Sequence, residues 1–135
     1  MNSFPLKIVT PDGVQFDGEA QQLLVRTIDG DMAVMAGHVN CVAPLGMGQA
    51  VIVSGEECRT AACIGGILTV LDGQVRLVPT TFEWSDAIDY ERAKDAEQRA
   101  RQALEKARNQ SEIKLASARL SRALVRQSVA HGSRK

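Results

Sequence analysis

The sequence predicts an α+β chain: an all-β N-terminal antiparallel sandwich over residues 1–85, followed by a C-terminal antiparallel helical hairpin over residues 86–135. Three observations predict it. Short apolar runs separated by turn residues fill the first part, with no helical period between them. From Asp86 onward, alanine and leucine recur at steps of three and four, and glycine is missing until Gly132. Charge divides at the same place. Residues 1–87 carry four basic against ten acidic side chains, a net −6, and residues 88–135 carry twelve against six, a net +6. Two segments of different secondary structure and opposite charge present surfaces suited to different partners.

The strands follow in order. Leu6-Lys7-Ile8-Val9 precedes the turn Pro11-Asp12-Gly13, Val14-Gln15-Phe16 follows it, and Asp17-Gly18 leads to Leu23-Leu24-Val25. Asp29-Gly30-Asp31 turns the chain into Met32-Ala33-Val34-Met35, and Gly37-His38 breaks it before Val42-Ala43-Pro44-Leu45. Further runs are Ala50–Val53, Thr60–Ile64, Ile67–Leu71 and Val75–Val78. Asp72-Gly73 is a strong two-residue hairpin signal, because both positions of such a turn need φ > 0.

Ser85 or Asp86 is the expected N-cap of the first helix, with Asp89 and Glu91 in a first turn where the helix dipole favours acids. Ala93, Ala96, Ala100, Ala103, Leu104 and Ala107 mark one face of that helix. Asn109-Gln110-Ser111 interrupts, and Ile113, Ala116, Leu120, Ala123 and Leu124 mark a second face ending near His131-Gly132. Each helix is expected to run for about 18–20 residues, roughly 30 Å. A seam made mostly of alanine is weak. Burying a methyl contributes about 0.8 kcal/mol, against about 1.5–3 for a leucine or isoleucine side chain. Such a hairpin is expected to detach or extend more readily than a leucine-rich one.

Composition narrows the functional classes. Aromatic residues make up 4% of the chain, a thin supply for a stacking platform on single-stranded nucleic acid. Interspersed Glu97, Glu105 and Glu112 also argue against a nucleic-acid surface on the basic segment. Cys41, Cys58 and Cys63 are odd in number and lack metal-ligand spacing, so neither a disulfide framework nor a metal site is expected. The N-terminus has no apolar signal core, and no stretch approaches the roughly 20 apolar residues of a membrane span, so direct membrane insertion is not expected. No catalytic constellation stands out: Gly65-Gly66 lacks the lysine and helix of a phosphate loop, and no nucleophile elbow is present.

The arginines of the basic segment invite closer reading. With the hairpin folded about residues 109–110, Arg92 falls opposite positions 126–127 and Arg99 opposite 120–122. Arg92 and Arg99, seven residues apart, share one edge of the alanine stripe; Arg126 edges the facing stripe, and Arg122 points further outward. On residues alone, two readings stand. Arginines on an amphipathic helix commonly form a solvated face, here with Glu97 and Glu105 as local partners. Alternatively, arginines gathered along one groove await an anion, and polyphosphate matches the guanidinium fork.

Several motifs together resemble the epsilon subunit of bacterial F-type ATP synthase, over nearly the full length. They are Leu6-Lys7-Ile8-Val9-Thr10-Pro11-Asp12-Gly13, Phe16-Asp17-Gly18-Glu19-Ala20, Ala36-Gly37-His38 and Gly65-Gly66-Ile67-Leu68. The family more often has proline where Ala36 stands. The resemblance implies a non-catalytic rotor subunit of the central stalk, peripheral on the cytoplasmic face of the bacterial plasma membrane. Its sandwich would bind the gamma subunit on one side and the c-ring on another, with Asp31 and His38 as the ring-facing candidates. No cofactor is implied. The hairpin would regulate: folded it permits turnover, and extended along gamma its basic second helix meets the alpha and beta catalytic subunits and blocks ATP hydrolysis. Some members bind ATP in the folded hairpin through a motif Ile/Leu-Asp-x-x-Arg-Ala, matched here by Ile88-Asp89-Tyr90-Glu91-Arg92-Ala93. By that resemblance, Asp89, Arg92 and the Ala93 backbone would hold adenine beside Ile88. Arg99, Arg122 and Arg126 would take phosphate, and Glu83 would make a peripheral contact. ATP is thus an expected regulatory ligand.

Overall fold

A computed structural model describes the backbone of residues 2–133 and the side chains of residues 2–130. The chain divides into two compact units, Met1–Trp84 and Ser85–Lys135.

The first unit is an eight-stranded β-sandwich. Its strands are β1 (Phe4–Thr10), β2 (Gly13–Ala20), β3 (Gln22–Thr27), β4 (Gly30–Val34), β5 (Cys41–Pro44), β6 (Met47–Ser54), β7 (Glu57–Leu71) and β8 (Gln74–Trp84). They are ordered β2-β1-β8-β7-β6-β3-β4, with β5 also paired to β7. Every pairing is antiparallel except that of β1 with β8, where the first and last strands run side by side in the same direction. The turn at Asp72-Gly73 has φ of 50° and 82°, as the sequence requires of a tight hairpin.

The two runs Thr60–Ile64 and Ile67–Leu71, expected as separate strands, are one 15-residue strand. Its first half pairs with β6 and its second with β5 in a continuous register, so β5 and β6 form one long interrupted strand opposite β7. Gly65 and Gly66 lie at the changeover, with φ of 69° and 100°. A side chain on Gly66 would collide with the Val78 carbonyl and Pro79 Cα of β8, so this close approach of backbones excludes every other residue.

Alternation along the strands builds the core. Phe4, Leu6 and Ile8 of β1, Leu23 and Val25 of β3, Ile52 of β6, Leu68 and Val70 of β7, and Val75 and Leu77 of β8 form one buried cluster. Phe82 meets Trp84 edge-on at 4.9 Å, and the Arg59 guanidinium lies 3.6 Å from the Trp84 ring centroid. The three cysteines are free thiols, and burial pushes Cys63 up to about 12.

The outer face of β5, β7 and β8 is unusually apolar. Val42, Pro44, Ile67, Leu71 and Val78 all point to solvent there, with Val42 69% and Leu71 58% exposed. Pro44, Ile67 and Val78 are direct cross-strand partners and form one row.

The second unit opens with a 3₁₀ turn, Ser85–Ala87, and continues as α1 (Tyr90–Lys106) and α2 (Gln110–Ser133). The helix begins later than expected from Ser85 or Asp86. Asp89 is the N-cap, and its carboxylate accepts the Arg92 N–H at 3.1 Å. Ala107 ends α1 in an extended conformation, φ −64° and ψ 132°. Asn109 caps α2 by accepting the Glu112 N–H at 2.9 Å, and Glu112 in turn accepts the Arg108 N–H at 2.8 Å. At 24 residues α2 is longer than the expected 18–20, and it runs to Ser133, just past the end expected near His131-Gly132.

Candidate functional site

The hairpin seam is a heptad of alanines. Ala93 and Ala100 on α1 and Ala116, Ala123 and Ala130 on α2 are each no more than 4% exposed. Seven-residue spacing keeps one face of each helix turned to its partner, and alanine lets the axes approach to about 8 Å. Ala103, Ile113 and Leu124, expected in the seam, are instead exposed, the last two at 40% and 41%.

Glu97 ties the helices together. Gln127 donates its Nε2 hydrogen to Glu97 Oε1 at 2.7 Å, and Arg101 donates to Glu97 Oε2 at 2.7 Å. The Gln127 hydrogen bond and then Arg101 hold the Glu97 carboxyl below the usual range, with Lys94 adding a weaker pull. This bond also marks the register. Position 97 was expected opposite 122 and lies instead beside 127, a shift of about five residues or roughly 7 Å. The cause is the extended passage through Ala107 to Asn109, which carries the chain past the end of α1 before α2 turns back. All six residues 110–115 are accordingly exposed.

At about 100° per residue, the seam divides the hairpin into two edges. Arg92 and Arg99 of α1 and Arg119, Arg122 and Arg126 of α2 fall along one edge. Glu97, Arg101, Leu104, Leu120 and Gln127 fall along the other. On the arginine edge the residues between helices are the small Ala96 and Ala103, which leaves an open, alanine-floored groove. On the other edge the half-buried Leu104 and Leu120 fill the space. Arg99, Arg122 and Arg126 come to about the same height, and Arg92 stands more than a turn away, near the far end of α2.

Arg92, Arg99, Arg119 and Arg122 are exposed, and among the described residues no ion pair engages them. Glu97, expected as a local partner, serves Arg101 on the opposite edge instead. Arg126 is half-buried and has an interaction within the chain. Two unit charges about 8 Å apart in water repel by about 0.5 kcal/mol, so each pair along the groove favours an anion between them. Arg119 was not singled out in the sequence, because its place on this edge depends on the seam falling at Ala116 and Ala123.

The motif Ile88–Ala93 forms the entry to α1. Ile88 is half-buried, Ala93 is buried, and Asp89 has one carboxylate oxygen committed to the cap. Glu83, half-buried near the end of β8, belongs to the first unit and has its own interaction there or elsewhere in the chain. The two other candidates lie at opposite ends of β4. Asp31 is exposed and ion-paired with Arg26 at 3.3 Å, the Arg26 stem lying across Gly48. His38 sits in the loop after β4, its Nδ1 donating to the Val39 carbonyl at 2.8 Å. Exposed Met35 and Val39 flank it, and Asn40 accepts the Asp72 N–H at 2.9 Å to pin the loop to the β7–β8 turn.

A β-sandwich followed by a pair of long helices defines a class of rotary-motor subunit, and comparison with known proteins places the chain in it. The family model described as the ATP synthase delta/epsilon chain beta-sandwich domain matches residues 3–85. The model of the delta/epsilon long alpha-helix domain matches residues 86–131. The chain is 36% identical to the ATP synthase epsilon chain of Caldicellulosiruptor saccharolyticus over 93% of its length and 92% of that protein. It is also 36% identical to the epsilon chain of Bacillus pumilus, over 96% and 98%. Among solved structures, a chain of the Euglena gracilis mitochondrial ATP synthase assembly has the same fold, with a TM-score of 0.83 at 21% identity, covering 93% of this chain and 80% of that one. The chain belongs to the epsilon-chain family of F-type ATP synthase. It is therefore a subunit of that complex and not an enzyme in its own right.

Proposed function

We propose that this subunit works in the central stalk, its sandwich joining gamma to the c-ring and its hairpin acting as an ATP-sensitive brake on hydrolysis. The single observation that carries the regulatory part is the groove: arginines along one edge, alanines as its floor, and no acid among the described residues paired to four of them. Phosphate oxygens of ATP would lie among Arg99, Arg122 and Arg126. Adenine would lie toward the start of α1, at Ile88, Asp89, Arg92 and the Ala93 backbone.

Energetics support the reading. Five buried seam alanines contribute about 4 kcal/mol at about 0.8 kcal/mol per methyl, and buried Val129 with half-buried Leu104 and Leu120 add to it, before the entropy of ordering the helices is counted. A ligand that binds only the closed hairpin adds about 2.7 kcal/mol at a hundredfold excess over Kd. That is enough to decide which state is populated. The open state has a use for α2 as well. Ile113 and Leu124 are already exposed on α2, and Leu120 would join them when the hairpin extends, offering an apolar stripe to the alpha and beta subunits or to gamma.

The apolar outer face of β5, β7 and β8 and the apolar loop around His38 supply docking surface for gamma and the c-ring. Among the described residues no helix is long and apolar enough to cross a membrane, so attachment to the cytoplasmic face of the plasma membrane would be through those partners.

Calorimetry on the full chain tests the nucleotide site. ATP should release heat with saturable binding, and Arg99→Ala combined with Arg126→Ala should abolish it. No heat at millimolar ATP, or unchanged binding in the double variant, would overturn the site. Stable co-purification with a cognate gamma subunit tests the stalk assignment.

A further inference from the structure

We propose that the Glu97–Gln127–Arg101 cluster is a latch that holds the hairpin closed and in register without nucleotide. It stands on the edge opposite the arginine groove. The proposal rests on the regulatory reading of the hairpin, but its own test needs no ATP.

The alanine seam cannot choose its register alone. Ala93 and Ala100 repeat every seven residues, as do Ala116, Ala123 and Ala130, so the methyls themselves leave the alignment to the short link of residues 107–109 and to polar contacts. A directional polar contact settles it, because a carboxylate and an amide at fixed heights meet in only one alignment. Glu97 is placed for this. Both of its oxygens are occupied at 2.7 Å, one by Gln127 across the seam and one by Arg101 a turn further along its own helix. Its side chain is only 20% exposed, so water competes poorly for it. Arg101 orients the carboxylate from outside and leaves its other oxygen free to reach α2. The latch thereby places Arg122 and Arg126 at the height of Arg99. A register one heptad away would separate them by about 10 Å.

Amide hydrogen exchange on the full-length chain in nucleotide-free buffer tests this. Glu97→Ala and Gln127→Ala should each speed exchange of the Leu120–Ala130 amides by about five- to tenfold, as expected for loss of a charge-assisted, partly exposed hydrogen bond. The double variant should be no faster than Glu97→Ala, which already loses both the Gln127 and the Arg101 contacts. Both substitutions raise intrinsic helix propensity, so faster exchange cannot come from a poorer helix. Glu97→Gln, which keeps an acceptor for Gln127 but drops the Arg101 ion pair, should fall between. Wild-type exchange in both alanine variants, or additive effects in the double variant, would overturn the latch. Arg99→Ala should leave nucleotide-free exchange unchanged. ATP failing to slow exchange in the wild type would refute the nucleotide site and not the latch.

Discussion

Replacing Ala123 by leucine tests the close packing of the hairpin most severely. Ala123 is 1% exposed and faces Ala100, itself 3% exposed, across a seam with no room for three further carbons. Forcing methylenes into a filled space costs about 1–3 kcal/mol. With each 1.4 kcal/mol worth a factor of ten, the opening equilibrium should shift by about 5- to 150-fold. Amide exchange along α2 reads it directly, and amides in β7 and β8, which belong to the separately packed sandwich, should keep their protection. ATP affinity should fall as the closed population falls. For the exchange measurement the matched control is Ala103→Leu. Ala103 is also an α1 alanine at helical spacing, but it is exposed on the open edge, where substitutions stay within about 0.5 kcal/mol. If leucine at 123 were as harmless as leucine at 103, the helices would not be held methyl against methyl, and the argument from a thin, tunable seam would fail.

Three further outcomes follow from particular contacts. The lowered Glu97 carboxyl contributes stability that is fully present above the ordinary carboxylate value of about 4.3 and is lost as pH falls through its own lower value. Acid titration of hairpin exchange should therefore lose the step that Glu97 contributes in Glu97→Gln; an unchanged titration would contradict this. Asp89→Ala should cost the start of α1 about 1 kcal/mol in thermal unfolding while Asp89→Asn, which can still cap, should cost little; a drop in ATP binding in the asparagine variant alone would then report the ligand and not the helix. Gly66→Ala should destabilise the sandwich by about 3 kcal/mol or more in urea, because it meets both a left-handed φ and the β8 backbone, and a midpoint within error of the wild type would refute that close approach.

Much of the architecture was legible where one residue type has one physical meaning. Asp72-Gly73 announced a tight turn because both positions need φ > 0, and the alternation of Phe4, Leu6 and Ile8 announced a strand with one buried face. Gly65-Gly66 misled for the same reason turned round. Glycines mark breaks in most sequences, but here they let one strand bend and press against its neighbour. The start of α1 was ambiguous because Ser85, Asp86 and Asp89 are all good caps, and only the folded chain shows which carboxylate meets a free N–H. The seam alanines were visible from their spacing, yet the pairing of the helices was not. Three extended residues between the helices advance the chain about 10 Å, a length that helical counting omits. That offset also hid the partners of Glu97 and the place of Arg119 on the arginine edge.

The central claim is that ATP stabilises the closed hairpin, and the most direct measurement compares exchange of the Ala116–Ala130 amides in the full chain with and without the nucleotide. At a hundredfold excess over Kd, exchange should slow by about a hundredfold, and Arg99→Ala with Arg126→Ala should remove the effect. Identical rates with and without millimolar ATP would contradict the account.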